Sequence, residues 1–561
     1  MYDFTLNARL TSGGLGYFST EWENEYFTID LSQDETSLKA TLTAKKDLTM
    51  NDVELNTSRA FADDDFFFAN GFQSWSITEE HRKTDVAKGL PKLVSWNGFT
   101  RTQAGQMGDY AYTSYGTPGN FHSFTFTYFR KKGSHFIELW GSRADRDGFT
   151  IFDVDMQKGR FTIRREVDGM ELKEGDTYVL FDLLICEAEY DKAFDTYFFD
   201  FMKLKTPRLE RLAGYTSWYN YFSKVTEDIV YRDLDALDRA KDKTQIFQID
   251  DGYQENTGDW LINDKKKFPH GMKACADAIH GKGYLAGIWL APFCASVKSK
   301  VAKEHPDWFI RDEKTGKRRL AHFGWGGAYA FDIYNPGARE YIKHFFDVIL
   351  NEWGYDFVKL DFLYSVCEWP REGKNRGQLM ADGIDLLREA CGDKYILGCG
   401  VPLGSCMGIF DACRIGPDAH KVFEGDLLNK LLPVRELPCS RYAMVNTIFR
   451  RCLDGRAFAN DPDVFFLRED NLTYTLQQKL LLAKLNDILG SVIFMSDNAA
   501  EYDPKALEYL LYFFSQKEYS VRMAEYESTD VVRIDYTENG TAKTLRLDLA
   551  DGSSNIMENL T

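Results

Sequence analysis

From Met1 to about residue 202, apolar and polar residues alternate in short runs cut by turn residues, as in SLKATLTAKK from Ser37 and FHSFTFTYFR from Phe121. A period of two predicts antiparallel strands with one buried face, and a series of them predicts a β-sandwich. KLKTPRLERL, from Lys203 to Leu212, reads as a polar connector. After it, short apolar runs alternate with amphipathic segments, which predicts a parallel βα architecture. The expected strands contain AGYTSW from Ala213, IFQIDD from Ile246, YLAGIWLAP from Tyr284, FVKLDFL from Phe357, YILGCGVP from Tyr395, ACRIGPD from Ala412 and SVIFMSD from Ser491. An eighth, near Ala457 to Leu467, would complete a (β/α)8 barrel.

The intervening segments carry a helical period. Met272, Cys275, Ala276 and Ile279 fall at i, i+3, i+4 and i+7, with Gly281 or Gly283 as a stop, and Ile342, Phe345, Ile349 and Trp353 mark a face that ends at Gly354. The last residues return to strand-like text, with a hairpin turn expected at Asn539-Gly540. The domains expected are therefore an N-terminal β-sandwich (1–202), a linker (203–212), a catalytic barrel (213–515) and a C-terminal antiparallel β domain (516–561).

Composition narrows the partners. The chain has 561 residues, too many for one core, and 68 Lys plus Arg against 86 Asp plus Glu give a net charge of -18. Such acidity disfavours nucleic acid and anionic membranes, so a neutral small-molecule partner is expected. MYDFTLNARL lacks a basic segment followed by an apolar core, and no apolar run is long enough to span a bilayer, so a soluble, unexported, cytoplasmic chain is expected. The ten cysteines show no zinc-site spacing and read as free thiols. An aromatic content of 15% suits sugar stacking, although aromatics serve cores more often than ligands.

Catalytic groups of a βα barrel lie at the C-terminal ends of its strands, and here those ends are charged. In FVKLDFL, the period of two sets Phe357, Lys359 and Asp361 on one face, so Lys359 and Asp361 are expected to point together into the barrel mouth. The same parity aligns Arg414, Gly416 and Asp418 in ACRIGPD, and another strand ends in Asp250-Asp251 before the turn residue Gly252. Each pair could be a buried ion pair and nothing more. Taken together, they are too many buried charges for structure alone, because unpaired burial is costly. Two carboxylates beside cations suit glycoside hydrolysis, one attacking the anomeric carbon and one delivering a proton to the leaving oxygen.

These motifs resemble glycoside hydrolase family 36, in particular its compact bacterial α-galactosidases. The ordered set is NGFQSWS from Asn70, GYTSWYNYF from Gly214, FQIDDGYQ from Phe247, GDW from Gly258, GIWLAPF from Gly287, HPDW from His305, VKLDFLY from Val358, LGCGVPL from Leu397, RIGPD from Arg414 and NDPDVFFLR from Asn460. The resemblance implies an N-terminal β-supersandwich, a (β/α)8 TIM barrel and a C-terminal antiparallel β domain. It implies a retaining exo-α-galactosidase acting on melibiose- or raffinose-type substrates, with Asp361 as nucleophile and Asp418 as acid/base. Asp250 and Asp251 would hold the 4- and 6-hydroxyls, and Lys359 and Arg414 would be hydroxyl ligands, Arg414 near position 2. Trp218 and Trp289 would wall the pocket, Trp75 would be lent to it by the N-terminal domain, and Cys399 would be substrate-binding in the fifth-strand loop. No metal or organic cofactor is implied.

Two departures bear on specificity. GYTSWY carries Tyr215 and Thr216 where many relatives have Trp or Cys, and CGVPLGSCMG replaces an S-G-G-G-R form in the loop beside the sugar 2-position. An α-N-acetylgalactosaminidase, a galactosyl-transferring enzyme of raffinose-synthase type and a non-catalytic sugar sensor are the rival readings.

Overall fold

A computed structural model describes residues 2–90, 116–425 and 436–560. The chain forms two compact units, one of residues 1–205 with 367–385 and 402–407, the other of 206–366, 386–401 and 408–561.

The first unit holds two seven-stranded sheets in which every paired strand is antiparallel. Both contribute to one core, with Leu6, Val53 and Ile163 from one sheet and Leu42, Trp140 and Phe181 from the other. FHSFTFTYFR is two strands where the alternation predicts one. Asn120–Phe124 pairs in the first sheet and Phe126–Lys131 in the second. Thr125 between them has φ 71°, a left-handed conformation that redirects the chain from one sheet to the other. The all-strand expectation also fails at Tyr190–Phe201, which is an α-helix running into a π-helix. Its buried Tyr190, Phe194, Tyr197 and Phe198 recur at i, i+4, i+7 and i+8, a helical period.

The second unit is built on parallel strands, here numbered one to eight: Leu212–Thr216, Ile246–Ile249, Leu285–Leu290, Phe357–Leu360, Tyr395–Gly398, Ala412–Arg414, a seventh in two pieces (Ala459–Asp461 and Val464–Phe465) and Val492–Met495. Neighbours pair in sequence order, and the eighth pairs with the first. The seventh closes the ring in halves, its first piece on strand six and its second on strand eight. Pro462 and Asp463 make the break, since proline has no N–H for the ladder. The expected strand near 457–467 is therefore present but interrupted.

The expected helices form. Met272, Cys275, Ala276 and Ile279 are the buried face of Met272–Gly281, and the chain turns at Gly283 (φ 88°). Pro336–Asp347, capped by the Asn335 side chain, continues as a π-helix to Glu352. The C-terminal sheet of Tyr519–Tyr526, Val531–Glu538 and Thr541–Asp548 turns at Asn539-Gly540, both at positive φ as that hairpin requires. Among the described residues no helix is long and apolar enough to cross a membrane. All ten cysteines are free thiols.

Candidate active site

Strand register brings the charged groups together. Trp289 pairs with Lys359, and Ile249 with Ile288, so Asp250, one residue past strand two, comes level with Trp289 and Lys359. Leu360 pairs with Gly398, Gly398 with Cys413, and Arg414 with Asp461. One step on, Asp361, Cys399, Arg414 and Asp461 share the next level. Paired residues of parallel strands point the same way, so these side chains converge at the C-terminal mouth.

Lys359 and Asp361 do share a face, but the Lys359 ammonium bonds Asp250, at 2.9 Å, rather than Asp361. The same Asp250 oxygen accepts from Gln248 Nε2 at 2.8 Å and Thr216 Oγ1 at 3.4 Å, while the other accepts the Asp251 amide at 2.9 Å. Burial alone would lower the Lys359 pKa, but the Asp250 carboxylate raises it on balance. Asp251 accepts from Gln254 at 2.5 Å and from the Trp325 indole at 3.0 Å, and burial raises its pKa. The turn that follows needs glycine: Gly252 has φ 123°, and a Cβ there would lie 2.8 Å from Ser223 Cα.

Asp361 is fixed through both oxygens, Oδ2 accepting from Trp289 Nε1 at 3.0 Å and Oδ1 from the Phe362 amide at 2.9 Å. Phe362, at φ 55°, turns the chain sharply past the carboxylate. Burial raises the Asp361 pKa, and Lys359, Trp289 and the Cys399 thiol partly offset the rise. Asp418 differs in setting. Strand six ends at Arg414, so strand parity does not place Asp418; it lies four residues further on, in the loop. Its side chain is 34% exposed and accepts from Arg414 Nη1 at 2.9 Å. A half-open carboxylate near a sequestered one, with Asp418 among the charges that raise the pKa of Asp361, could serve as a proton-transfer group and a nucleophile.

Trp289 stands among aromatic rings, 5.7 Å from Trp260 and 6.1 Å from Trp325 between centroids, and Trp325 is 5.0 Å from Phe362. His322 joins them, 5.3 Å from Trp325, and burial pushes its imidazole down to about 4, so the ring is neutral. Trp218 opens the short helix Trp218–Tyr221, half-buried and edge-on to Phe222. Trp75 belongs to the other compact unit, where it is buried in the 70–78 segment.

Four groups at this mouth were not anticipated. Asp461 and Asp463 sit in the quoted NDPDVFFLR, and both bond Arg414, at 3.1 Å and 2.7 Å. A proline flanked by two aspartates inside an apolar run was the available signal. Gln248 shows by parity with Asp250, whereas Trp325, in a glycine-rich loop, has no periodic signal. Asp497, two residues past strand eight, is held by its own neighbours: it accepts from the Leu467 and Arg468 amides, the Arg468 guanidinium and the Tyr502 hydroxyl. Among the described residues no cluster of His, Cys, Asp or Glu is arranged to hold a metal ion.

The second unit is thus a (β/α)8 barrel whose C-terminal mouth gathers carboxylates, two cations and aromatic rings. Residues 220–382 match the family model described as Melibiase. Over 140 residues the chain is 37% identical to α-galactosidase Mel36A of Lactobacillus acidophilus, 24% of this chain and 18% of that one. Over 150 residues it is 33% identical to an A type blood α-D-galactosamine galactosaminidase of Flavonifractor plautii, 26% of this chain and 14% of that one. The matches thus span less than a fifth of those relatives' lengths. The Thermus thermophilus α-galactosidase in complex with stachyose superposes with a TM-score of 0.69 at 25% identity, over 91% of this chain and 99% of that one. The GH36 α-galactosidase AgaA of Geobacillus stearothermophilus shares the fold, with a TM-score of 0.59 at 11% identity, over 97% of this chain and 79% of that one. The chain is thus similar in sequence, over part of its length, and in fold to bacterial α-galactosidases.

Proposed function

We propose that this protein is a retaining exo-α-galactosidase that removes terminal α-D-galactosyl units from melibiose- or raffinose-type oligosaccharides by double displacement. The observation that carries the reading is the contrast between Asp361, buried and held by two N–H donors, and Asp418, half-open on Arg414. In the first step Asp361 attacks C1 as the glycosidic C–O bond breaks, and Asp418 gives its proton to the leaving oxygen. In the second, water attacks C1, Asp418 takes the water proton, and Asp361 departs. The mouth gathers Asp250, Asp251, Asp361, Asp418, Asp461 and Asp463 around two cations, Lys359 and Arg414, an excess of acidic groups suited to the positive charge that develops at the anomeric carbon.

Asp250 and Asp251 are proposed to read the axial 4-hydroxyl and the 6-hydroxyl, with Lys359, Arg414 and Cys399 as further sugar contacts and Trp289 and Trp218 as walls. A panel of nitrophenyl α- and β-glycosides tests the class: α-galactoside should be cleaved well, and comparable α-glucoside or β-galactoside activity would contradict it. Asp250→Ala or Asp251→Ala should lower kcat/KM by about 2–5 kcal/mol, since charge-assisted bonds to the sugar are lost. Trp325→Phe keeps the ring but withdraws its N–H from Asp251, and should cost about 1.5–3 kcal/mol in kcat/KM. A Trp325→Phe variant with wild-type kinetics would show that Asp251 needs no such anchor.

The galactosaminidase relative favours a second reading, an enzyme for sugars nitrogen-substituted at position 2. Adding nitrophenyl α-galactosaminide and its N-acetyl form to the panel decides it.

A further inference from the structure

The Arg414 guanidinium is shared by three carboxylates and a phenol. Nε bonds Asp461 at 3.1 Å, Nη2 meets Asp463 at 2.7 Å, and Nη1 bonds Asp418 at 2.9 Å and the Tyr219 hydroxyl at 3.4 Å. Asp461 and Asp463 are completely buried, whereas Asp418 is 34% exposed. The break in strand seven lies at the two inner carboxylates. Asp461 closes its first piece, and Asp463, at φ 83°, turns back to accept the Ala419 amide at 2.7 Å, next to Asp418 in the chain. A non-glycine residue held at that φ is strained, and the surroundings must over-determine it.

This geometry poses a chemical problem. A proton donor beside an uncompensated guanidinium is biased towards its anion and donates poorly from the outset, because a cation within about 4–6 Å favours the carboxylate. We infer that Asp461 and Asp463 are positioning residues that offset the Arg414 charge, so that the guanidinium orients Asp418 without stripping its proton. The inference rests on Asp418 being the acid/base. Burial raises the Asp463 pKa against the pull of Arg414, with Asp418 and Asp461 adding to the rise, as expected of acids that share one cation. The other groups facing the cluster are Asp361 and Lys359 from strand four, Cys399 after strand five and Tyr219 after strand one. None of these adds a second cation in contact with Asp418; Lys359 is bound to Asp250.

The test is the pH dependence of kcat/KM on melibiose for wild type, Asp461→Asn and Asp463→Asn, with thermal melting to establish folding. Each substitution removes an acidic group that shares the guanidinium, and the guanidinium's hold on the Asp418 anion then tightens. The alkaline limb should move to lower pH by about one unit in each folded variant, with much of the activity kept on the acid side. A limb that stays put while activity falls equally at every pH, or that moves up, overturns the inference. The wild-type profile is a check that needs no variant: an alkaline limb well below the range of an ordinary aspartate would also overturn it. The acid assignment is judged separately by the leaving-group dependence of Asp418→Ala. If that dependence holds and the limb does not move, the inference fails alone.

Discussion

Asp361→Ala is expected to lose turnover by roughly 10⁴- to 10⁶-fold while leaving the fold intact, a range typical of removing a covalent nucleophile. The carboxylate sits at the tip of strand four, and the backbone that places it, the Asp361 amide to Leu290 and the Cys399 amide to Leu360 at 2.8 Å each, does not involve the side chain. Alanine leaves the Trp289 indole and the Phe362 amide without their acceptor but opens room for a small anion. Azide should therefore restore part of the rate by attacking the face that Asp361 uses, giving β-galactosyl azide. Rate measurements with and without azide on a nitrophenyl α-galactoside check this. An Asp361→Ala enzyme within tenfold of wild type would show that another group attacks.

Asp418→Ala should behave differently on different substrates. A sugar alkoxide cannot leave unprotonated, whereas a dinitrophenolate can, and general acid catalysis is worth roughly 10²- to 10⁴-fold where it is needed. Melibiose turnover should fall by about that factor. The first step with dinitrophenyl α-galactoside should be little changed, and the galactosyl-enzyme should accumulate because its hydrolysis lacks a base. The ratio of variant to wild-type kcat/KM on the two substrates is the measurement, and equal losses would remove Asp418 from the acid role.

Much of this site was legible in the sequence because strand register is simple arithmetic. A period of two placed Lys359 and Asp361 on one face, and parallel pairing did the rest, bringing Asp250 level with Lys359 and Cys399 level with Asp361. Parity said nothing about which acid Lys359 would choose, since that depends on side-chain reach across the barrel, and its partner is Asp250. It failed outright at Asp418, which lies beyond the end of its strand, and the link to Arg414 is made through the loop. Trp325 escaped notice because a non-periodic loop brings it to Asp251. At the level of the fold, the strand alternation was correct, but where the chain leaves a sheet was not visible. Thr125 redirects a run that alternates without interruption, and nothing in a threonine announces a positive φ. The helical spacing of Tyr190, Phe194, Tyr197 and Phe198 was readable, but it sits at the end of a strand-rich domain whose dominant period masks it.

The central claim is that Asp361 forms a covalent galactosyl intermediate, so that two inversions give net retention. Proton NMR of the reducing sugar released in the first minutes from a nitrophenyl α-galactoside, before mutarotation, tests it directly. The account predicts that α-galactose appears first and the β-anomer only later, by mutarotation. First release of β-galactose would mean a single displacement by water, and the assignment of Asp361 as nucleophile would be wrong.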